Sequence, residues 1–295
     1  MSAVTQRPYV GRFAPSPTGA LHAGSLLAAV GSYVDARAHR GRWLLRIEDL
    51  DVPRVVNGAE ATMLLALETL GLHWDGHCTR QSESPQRYAA ALEALRATGR
   101  VFACRCSRRE LTDADAESGC VGDCQARTPH NEQCALRFTL ELPEGAPVVD
   151  RFQGVQAALD EPQNIVIRRR DQIFCYQLAV VVDDAHDGIT DVVRGSDLLS
   201  STPWQIQLQR ALAFATPNYA HLPVLVEANG EKLAKSRHSP PIDARNAAEL
   251  LWQSLCQLGQ NPPAELRAAP PDRQLQWAVE NWTPSRFFGV RTLRL

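Results

Sequence analysis

Three groups of residues in this chain have the types and spacing to do chemistry. The first is the loop Arg12-Phe-Ala-Pro-Ser-Pro-Thr-Gly-Ala-Leu-His-Ala-Gly-Ser25, set between an apolar segment at Tyr9 and Val10 and the apolar run Leu26-Leu-Ala-Ala-Val30. A strand, a Pro/Gly loop and a helix start in that order can bind phosphate. The first turn of a helix presents unpaired N–H groups and a partial positive charge. Gly19 and Gly24 let the backbone approach a ligand, Pro15 and Pro17 stiffen the loop, and His22 adds a side-chain donor. The second group is Asn229-Gly-Glu-Lys-Leu-Ala-Lys-Ser236, in which Lys232 and Lys235 can reach a polyphosphate as mobile point charges. The third is Cys104, Cys106, Cys120 and Cys124, spaced C-x-C-x13-C-x3-C. Four thiolates in two close pairs suit the tetrahedral coordination of zinc. A metal would also give the polar stretch 105–127 a reason to be ordered. Cys134 is near enough in sequence to compete as a ligand. Cys78, Cys175 and Cys256 stand alone and read as small core residues, and no other feature calls for a catalytic cysteine.

These groups need elements to hold them. Arg42-Trp-Leu-Leu-Arg-Ile47 is an apolar run with charged ends, the pattern of a buried parallel strand. Glu48-Asp-Leu-Asp51 follows at its C-terminal end, where ligands sit in open α/β sheets; acidic groups there can hold an ammonium or a ribose. Residues 57–70 have helical periodicity and stop at Gly71. Ser84-Pro85 opens a second helix with Tyr88, Leu92 and Leu95 on one face and Gly99 as its stop. Strands alternating with helices predict a doubly wound α/β sheet. Residues 135–140 alternate as a strand, with 148–152 as the expected partner. Residues 164–167 and 173–176 flank 168–171 as a hairpin with arginines at its tip. The run 178–182 leads into Asp183-Asp184. Residues 189–193 read as a core strand with Arg194 at the end where ligands sit. Residues 201–214 read as a helix with Pro203 in its first turn, and 219–226 lead to the lysine segment. Helices at 246–258 and 274–282 complete the pattern.

Length and composition set bounds. The chain has 295 residues, enough for one large or two small domains. Its formal net charge of −2 lacks the basic surplus of a protein that grips nucleic acid over a wide surface. An RNA contact would need local charge, such as Arg168-Arg-Arg170 or Arg105, Arg108 and Arg109. No apolar run reaches the roughly 18 residues that span a membrane, and the first residues lack a secretory pattern. The expectation is a cytoplasmic protein without membrane contact. Its eight cysteines are then thiols or metal ligands.

Five motifs in this order resemble the class I aminoacyl-tRNA synthetases of glutamyl type. They are the loop 12–25, Arg46-Ile-Glu-Asp49, the segment 176–184, Val193-Arg-Gly195 and the segment 232–236. His22-Ala-Gly-Ser25 stands at the His-x-Gly-His signature and Lys232-Leu-Ala-Lys-Ser236 at the Lys-x-Ser-Lys-Ser signature, with Ser25 and Ala234 as departures. The resemblance covers roughly residues 8–240. It implies a Rossmann-like doubly wound parallel sheet in two halves, 1–103 and 164–240, the second carrying the lysine loop. Between them it implies a zinc-binding insertion at 104–163, and after them a short helical region at 241–295. The 59 residues after Ser236 are too few for the anticodon-binding domain of a full-length glutamyl enzyme. A catalytic half with a cysteine-rich insertion is similar to the glutamyl-queuosine tRNA(Asp) synthetases.

That likeness implies activation of L-glutamate by ATP with Mg²⁺, without tRNA. Transfer to the queuosine base at the anticodon wobble position of tRNA(Asp) follows, with one structural Zn²⁺ on Cys104, Cys106, Cys120 and Cys124, in a monomer. Residue by residue it assigns Arg12, Phe13, Ala14, Pro15, Ser16, Glu48, Tyr176 and Arg194 to glutamate. Glu48 would take the α-ammonium and Arg194 the side-chain carboxylate in a bidentate pair. It assigns Pro15, Gly24, Ser25, Lys232, Lys235 and Ser236 to ATP, with His22 and Lys235 as the catalytic pair on the phosphates. Two readings stand beside it: a truncated glutamyl-tRNA synthetase that charges the acceptor end, and an inactive paralogue acting as an RNA-binding module.

Overall fold

The computed structural model describes residues 7–106, 120, 124, 134–141, 147–156, 163–227 and 243–294. Strand β1 (Val10–Phe13) pairs in parallel with β2 (Arg42–Ile47), Val10 opposite Arg42 and Phe13 opposite Leu45. Parallel pairing needs a crossover, and α1 (Ala23–Ala38) supplies it. The helix α2 (Ala59–Thr69) leads to β3 (Thr79–Arg80), which runs parallel to the end of β2 with Arg46 opposite Thr79. Helix α3 (Pro85–Ala97) buries Tyr88, Leu92 and Leu95, the face its spacing predicts.

The middle of the chain is antiparallel. Strand β4 (Val101–Cys104) lies beside β5 (Ala135–Leu140), Val101 opposite Phe138. Next come β6 (Val149–Asp150) and β7 (Gly154–Val155), then β8 (Gln163–Arg168), which takes the other edge of β5. The expected pairing of 148–152 with 135–140 does not form: β6 pairs with β7 in a local hairpin. Asp150 is the reason. Its Oδ1 accepts the backbone N–H groups of Phe152 and Gln153 at 3.0 and 2.8 Å, which closes the turn at once. Of the expected hairpin over 164–176 only the turn forms: Arg168 is bridged to Phe174, but 173–176 make no second strand and Tyr176 already opens a helix.

Residues 178–182, three consecutive valines among them, lie in helix α4 (Tyr176–His186), which is buried from Gln177 to Asp184. Then follow β9 (Asp191–Gly195), α5 (Thr202–Ala211) and β10 (Asn218–Leu222), which is parallel to β9 with Asn218 opposite Asp191. Strand β11 (Val224–Val226) precedes α6 (Ala247–Gln257) and α7 (Pro271–Glu280). The second of these starts before the expected 274 because Pro271 suits a first helical position. Strand β12 (Thr292–Arg294) returns to run parallel to β11. The lysine segment 229–236 lies outside the described residues.

The two parallel ladders meet at β1, where the backbone N–H of Thr190 donates to Val10 O at 2.9 Å. Helix α1 covers β1, β2 and β9. Its Leu26, Leu27, Val30 and Val34 share a core with Trp43, Leu45 and, from α6, Leu251 and Leu255. Each such side chain contributes about 1.5–3 kcal/mol by leaving water. A second core joins Tyr88 and Leu92 to Phe138, Ile165 and Leu178. Asp35 of α1 is a fully buried polar tie: it accepts from Tyr9 Oη at 2.6 Å, from Arg151 at 2.9 and 3.1 Å and from Trp282 Nε1 at 2.9 Å. Cys78, Cys175 and Cys256 are half-buried rather than core residues.

Candidate active site and metal centre

The loop after β1 is built by short backbone bonds. Glu48 N–H donates to Pro15 O at 3.0 Å and Val56 N–H to Pro17 O at 2.9 Å, which pins the loop to the C-terminal end of β2. Gly19 takes φ 141°, a conformation side chains disfavour. His22 is the N-cap of α1: Nδ1 accepts from Ser25 N–H at 3.3 Å, and Ser25 Oγ lies 3.0 Å from Nε2. A Cβ on Gly24 would stand 3.1 Å from the His22 ring, so the glycine is what lets the imidazole fold over the helix start. Ser25 thus holds the signature histidine at the first turn, where a phosphate is favoured.

Behind the loop lies a buried charge network. Arg12 grips Asp184 sideways, with Nε to Oδ1 at 3.1 Å and Nη2 to Oδ2 at 3.2 Å. Arg46 reaches Asp184 at 2.5 Å and Asp187 at 2.8 Å. Asp183 accepts from Gln81 at 2.8 Å, Tyr88 Oη at 2.9 Å and Arg87 at 3.2 Å. Burial alone would raise Asp184, but the two guanidiniums outweigh it and hold the carboxyl below its ordinary range. Glu48 has the opposite fate: burial pushes it up to about 7, against the pull of Arg46 and Arg12. A nearby ammonium would restore its full charge.

A cavity of about 520 Å³ opens at these strand ends, lined by Ser16, Glu48, Tyr176, Gln177, Phe174 and Trp204 among others. Arg194, at the end of β9, sits one hydrogen bond behind it. Its Nη1 donates to Tyr176 Oη at 3.3 Å and Gln205 Oε1 at 2.7 Å, and its Nη2 to Thr202 Oγ1 at 3.0 Å and Leu198 O at 3.3 Å. Nε donates to His221 Nε2 at 3.0 Å. Burial lowers His221 toward the neutral form. So a buried cation with neutral partners flanks one side of Tyr176, and a carboxyl that gains charge beside an ammonium lies in the same cavity. That pairing suits an amino acid with an acidic side chain.

The structure places the residues predicted from sequence as follows. Ser16, Glu48 and Tyr176 line the cavity. Arg12 and Phe13 are buried at the end of β1, and Ala14 and Pro15 are half-buried in the loop. His22, Gly24 and Ser25 form the start of α1 and do not line that cavity. Lys232, Lys235 and Ser236 lie outside the described residues. Sequence reasoning missed Asp184, Gln205, Thr202, His221 and Asp150 as supports of the site. Asp183-Asp184 did leave a signal, two acids ending an apolar run.

Cys104, Cys106, Cys120 and Cys124 come together, their sulfurs all within 4.8 Å of one another. Cys104 to Cys120, Cys106 to Cys120 and Cys106 to Cys124 are each 3.7 Å apart. Sulfurs about 2.3 Å from a central zinc would lie about 3.8 Å apart at tetrahedral angles, so the set fits. Burial and the three neighbouring thiols push Cys106 up to about 12, a crowding that a divalent cation relieves. Cys134 is buried and outside this group. Arg170 donates to the carbonyls of Arg105 and Cys106, tying the knuckle to the turn after β8. Its neighbour Arg169 pairs with Asp51 at 3.1 Å and Asp171 at 2.6 Å. These two arginines are therefore engaged within the molecule. Among the described residues no helix is long and apolar enough to cross a membrane.

Comparison with known proteins agrees with this architecture. The family of class I tRNA synthetases (E and Q), catalytic domain, matches residues 9–250. The chain is 48% identical over 289 residues to a glutamyl-Q tRNA(Asp) synthetase of Ectopseudomonas mendocina, covering 97% of each chain. It is 49% identical over 289 residues to one of Pseudomonas aeruginosa, again over 97% of each. Among solved structures it is similar to a glutamate-tRNA synthetase from Elizabethkingia anophelis, with a TM-score of 0.75 and 22% identity over 98% of this chain and 68% of that one. A glutamate tRNA ligase from Elizabethkingia meningosepticum, in complex with its amino acid, gives a TM-score of 0.74 at 22% identity, over 98% of this chain and 67% of that one. The likeness to these structures shows a shared fold, and the family match together with the close relatives shows that the chain belongs to the class I glutamyl and glutaminyl tRNA synthetase family, among the glutamyl-Q tRNA(Asp) synthetases.

Proposed function

We propose that this chain activates L-glutamate with ATP, without tRNA, and transfers the glutamyl group to the queuosine base at the anticodon wobble position of tRNA(Asp). The observation that carries the reading is the 48% and 49% identity, over 97% of both chains, to relatives named for that activity. The cavity chemistry supports it. In the first step an oxygen of the glutamate α-carboxylate attacks the α-phosphorus of ATP and pyrophosphate leaves. In the second a hydroxyl of the queuosine cyclopentene diol attacks the glutamyl carbonyl and AMP leaves. The protein's part is positioning and charge stabilisation.

Glu48 takes the α-ammonium. Tyr176 and Arg194 take the side-chain carboxylate, and Arg12 with Phe13, Ala14, Pro15 and Ser16 forms the adjoining wall. The buried positive charge of Arg194 behind Tyr176 favours an anionic side chain over a neutral amide, which selects glutamate over glutamine. His22 and Lys235 stabilise the phosphates, with Pro15, Gly24, Ser25, Lys232 and Ser236 around the nucleotide and Mg²⁺ accompanying ATP. A Zn²⁺ on Cys104, Cys106, Cys120 and Cys124 supplies structure only. The parallel strands form the two halves of a Rossmann-like doubly wound sheet at 1–103 and 164–240, around the insertion 104–163 and before a short helical region at 241–295. The protein acts as a cytoplasmic monomer.

The test is transfer of labelled glutamate to queuosine-containing tRNA(Asp), beside unmodified tRNA(Asp) and tRNA(Glu). The expected result is label in the anticodon fragment of the queuosine-containing tRNA alone. Label on the acceptor end of tRNA(Glu) would overturn the reading in favour of a glutamyl-tRNA synthetase.

A further inference from the structure

Arg12 and Arg194 are both buried, but among the described residues only Arg12 touches a carboxylate directly. The nearest acid in the Arg194 chain of hydrogen bonds is Asp150, one imidazole away. His221 Nδ1 lies 2.5 Å from Asp150 Oδ2, and His221 Nε2 lies 3.0 Å from Arg194 Nε. Asp150 and His221 have no exposed side-chain surface. Asp150 cannot turn, because its Oδ1 is held by three backbone N–H groups, those of His221 at 3.1 Å, Phe152 at 3.0 Å and Gln153 at 2.8 Å. Oδ2 is then the atom aimed at the imidazole, and a carboxylate oxygen only accepts. The proton must sit on His221 Nδ1, which leaves Nε2 as an acceptor for the Arg194 Nε–H. Thr202 Oγ1, 3.4 Å from Nε2, is a further neighbour and itself accepts from Arg194 Nη2.

We propose that Asp150 and His221 are positioning residues: Asp150 locks the Nδ1–H tautomer of His221, and that tautomer holds Arg194 in place with its charge left for the carboxylate of a ligand. A direct carboxylate partner would neutralise the guanidinium and repel an incoming anion. Placing the acid behind a neutral ring orients the arginine without cancelling it. The inference rests on the proposal that glutamate is the substrate, and it adds two residues that touch neither substrate nor phosphate.

Asp150→Asn separates this role from a merely structural one. The three backbone donors keep the amide oxygen at the Oδ1 position, so the Nδ2 hydrogens face His221. The ring must then carry its proton on Nε2, donor against donor at Arg194. Two measurements on the full chain test it. Nitrogen-15 NMR of the histidines should show His221 as Nδ1–H in the wild type and Nε2–H in Asp150→Asn. In glutamate-dependent ATP–pyrophosphate exchange, Asp150→Asn should raise the KM for glutamate about ten-fold or more and change the KM for ATP by less than about two-fold. His221→Gln retains an acceptor for Arg194 but has no tautomer to flip, so adding Asp150→Asn to it should change the glutamate KM by less than about two-fold. His221→Leu, which removes the acceptor, should lose glutamate affinity while His221→Gln keeps it; this pair decides the matter if Asp150→Asn fails to fold. An Nε2–H tautomer in the wild type, or an equal loss from Asp150→Asn with and without His221, would overturn the proposal. A wild type that activates no glutamate would instead overturn the substrate reading, and the tautomer measurement, which needs no substrate, would still decide the relay.

Discussion

Arg194 has five N–H donors, and all are committed to neutral acceptors within the protein. Arg194→Ala should therefore do two things. It should abolish glutamate-dependent pyrophosphate exchange, since the buried cation is gone. It should also lower stability by about 1–3 kcal/mol, because the buried acceptors Gln205 Oε1 and His221 Nε2 lose their Arg194 donors. Denaturant unfolding beside the exchange assay reads both, and wild-type exchange in this variant would sink the assignment. Glu48 gives a pH signature. With its carboxyl at about 7, glutamate KM should rise as pH falls from 8 to 6, as the anion that meets the ammonium is lost. Glu48→Gln should show a higher KM without that slope. The stability effect has the reverse sign. A carboxyl raised on folding favours the folded state at low pH and costs stability as pH rises through 7, so the same variant should melt higher than wild type at pH 8. Glu48 and Arg194 stood out in the sequence as charged residues at the ends of apolar runs, and Arg12 only through the resemblance. Asp150 and His221 did not, because the bond between them spans 71 residues and neither sits in a recognisable pattern.

The elements that carry these residues were read with uneven success, for physical reasons. Helical periodicity located α2, α3 and α5 to within a few residues, since a stripe of buried side chains is a local property. The partner of β6 was misassigned, because a two-residue strand holds too little pattern to name its neighbour and the turn at Asp150 decides. Two elements invite direct tests. In α1, Gly24→Ala adds a good helix former but sets a Cβ 3.1 Å from the His22 ring. The expected result is an unchanged or higher melting temperature together with a raised KM for ATP. An unchanged KM for ATP would detach His22 from the nucleotide. In the cysteine knuckle, metal analysis should find about one zinc per chain. Chelation or Cys120→Ser should lower the melting temperature, through loss of the order that four metal bonds impose. A chain of wild-type stability with no bound metal would refute the site.

At the scale of the molecule, the parallel ladders and their helices were legible as an α/β fold, whereas the way residues 243–294 return to the N-terminal half was not. That closure depends on Trp282 finding Asp35 and on α6 and α7 covering α1. No single residue type announces such contacts. Asp35→Ala would orphan the donors of Tyr9 and Trp282 and leave Arg151 only Asp191, at 3.6 Å. Removing one partner of a buried ionic set costs about 3–5 kcal/mol, so the midpoint of denaturant unfolding should fall markedly; a midpoint within error of wild type would mean that the tie is idle.

The Asp35 tie also sets a timetable. Asp35 and Trp282 are 247 residues apart, and a ribosome adds about 5–20 residues per second. For on the order of ten to fifty seconds, a nascent chain therefore carries α1 with its buried acid short of one partner and its leucines short of their cover. The N-terminal half therefore emerges before its α6, α7 and Trp282 cover exists. The cover of α1 is thus among the last parts of the fold to be made, and the lag before activity appears during cell-free synthesis should be no shorter than elongation through Trp282.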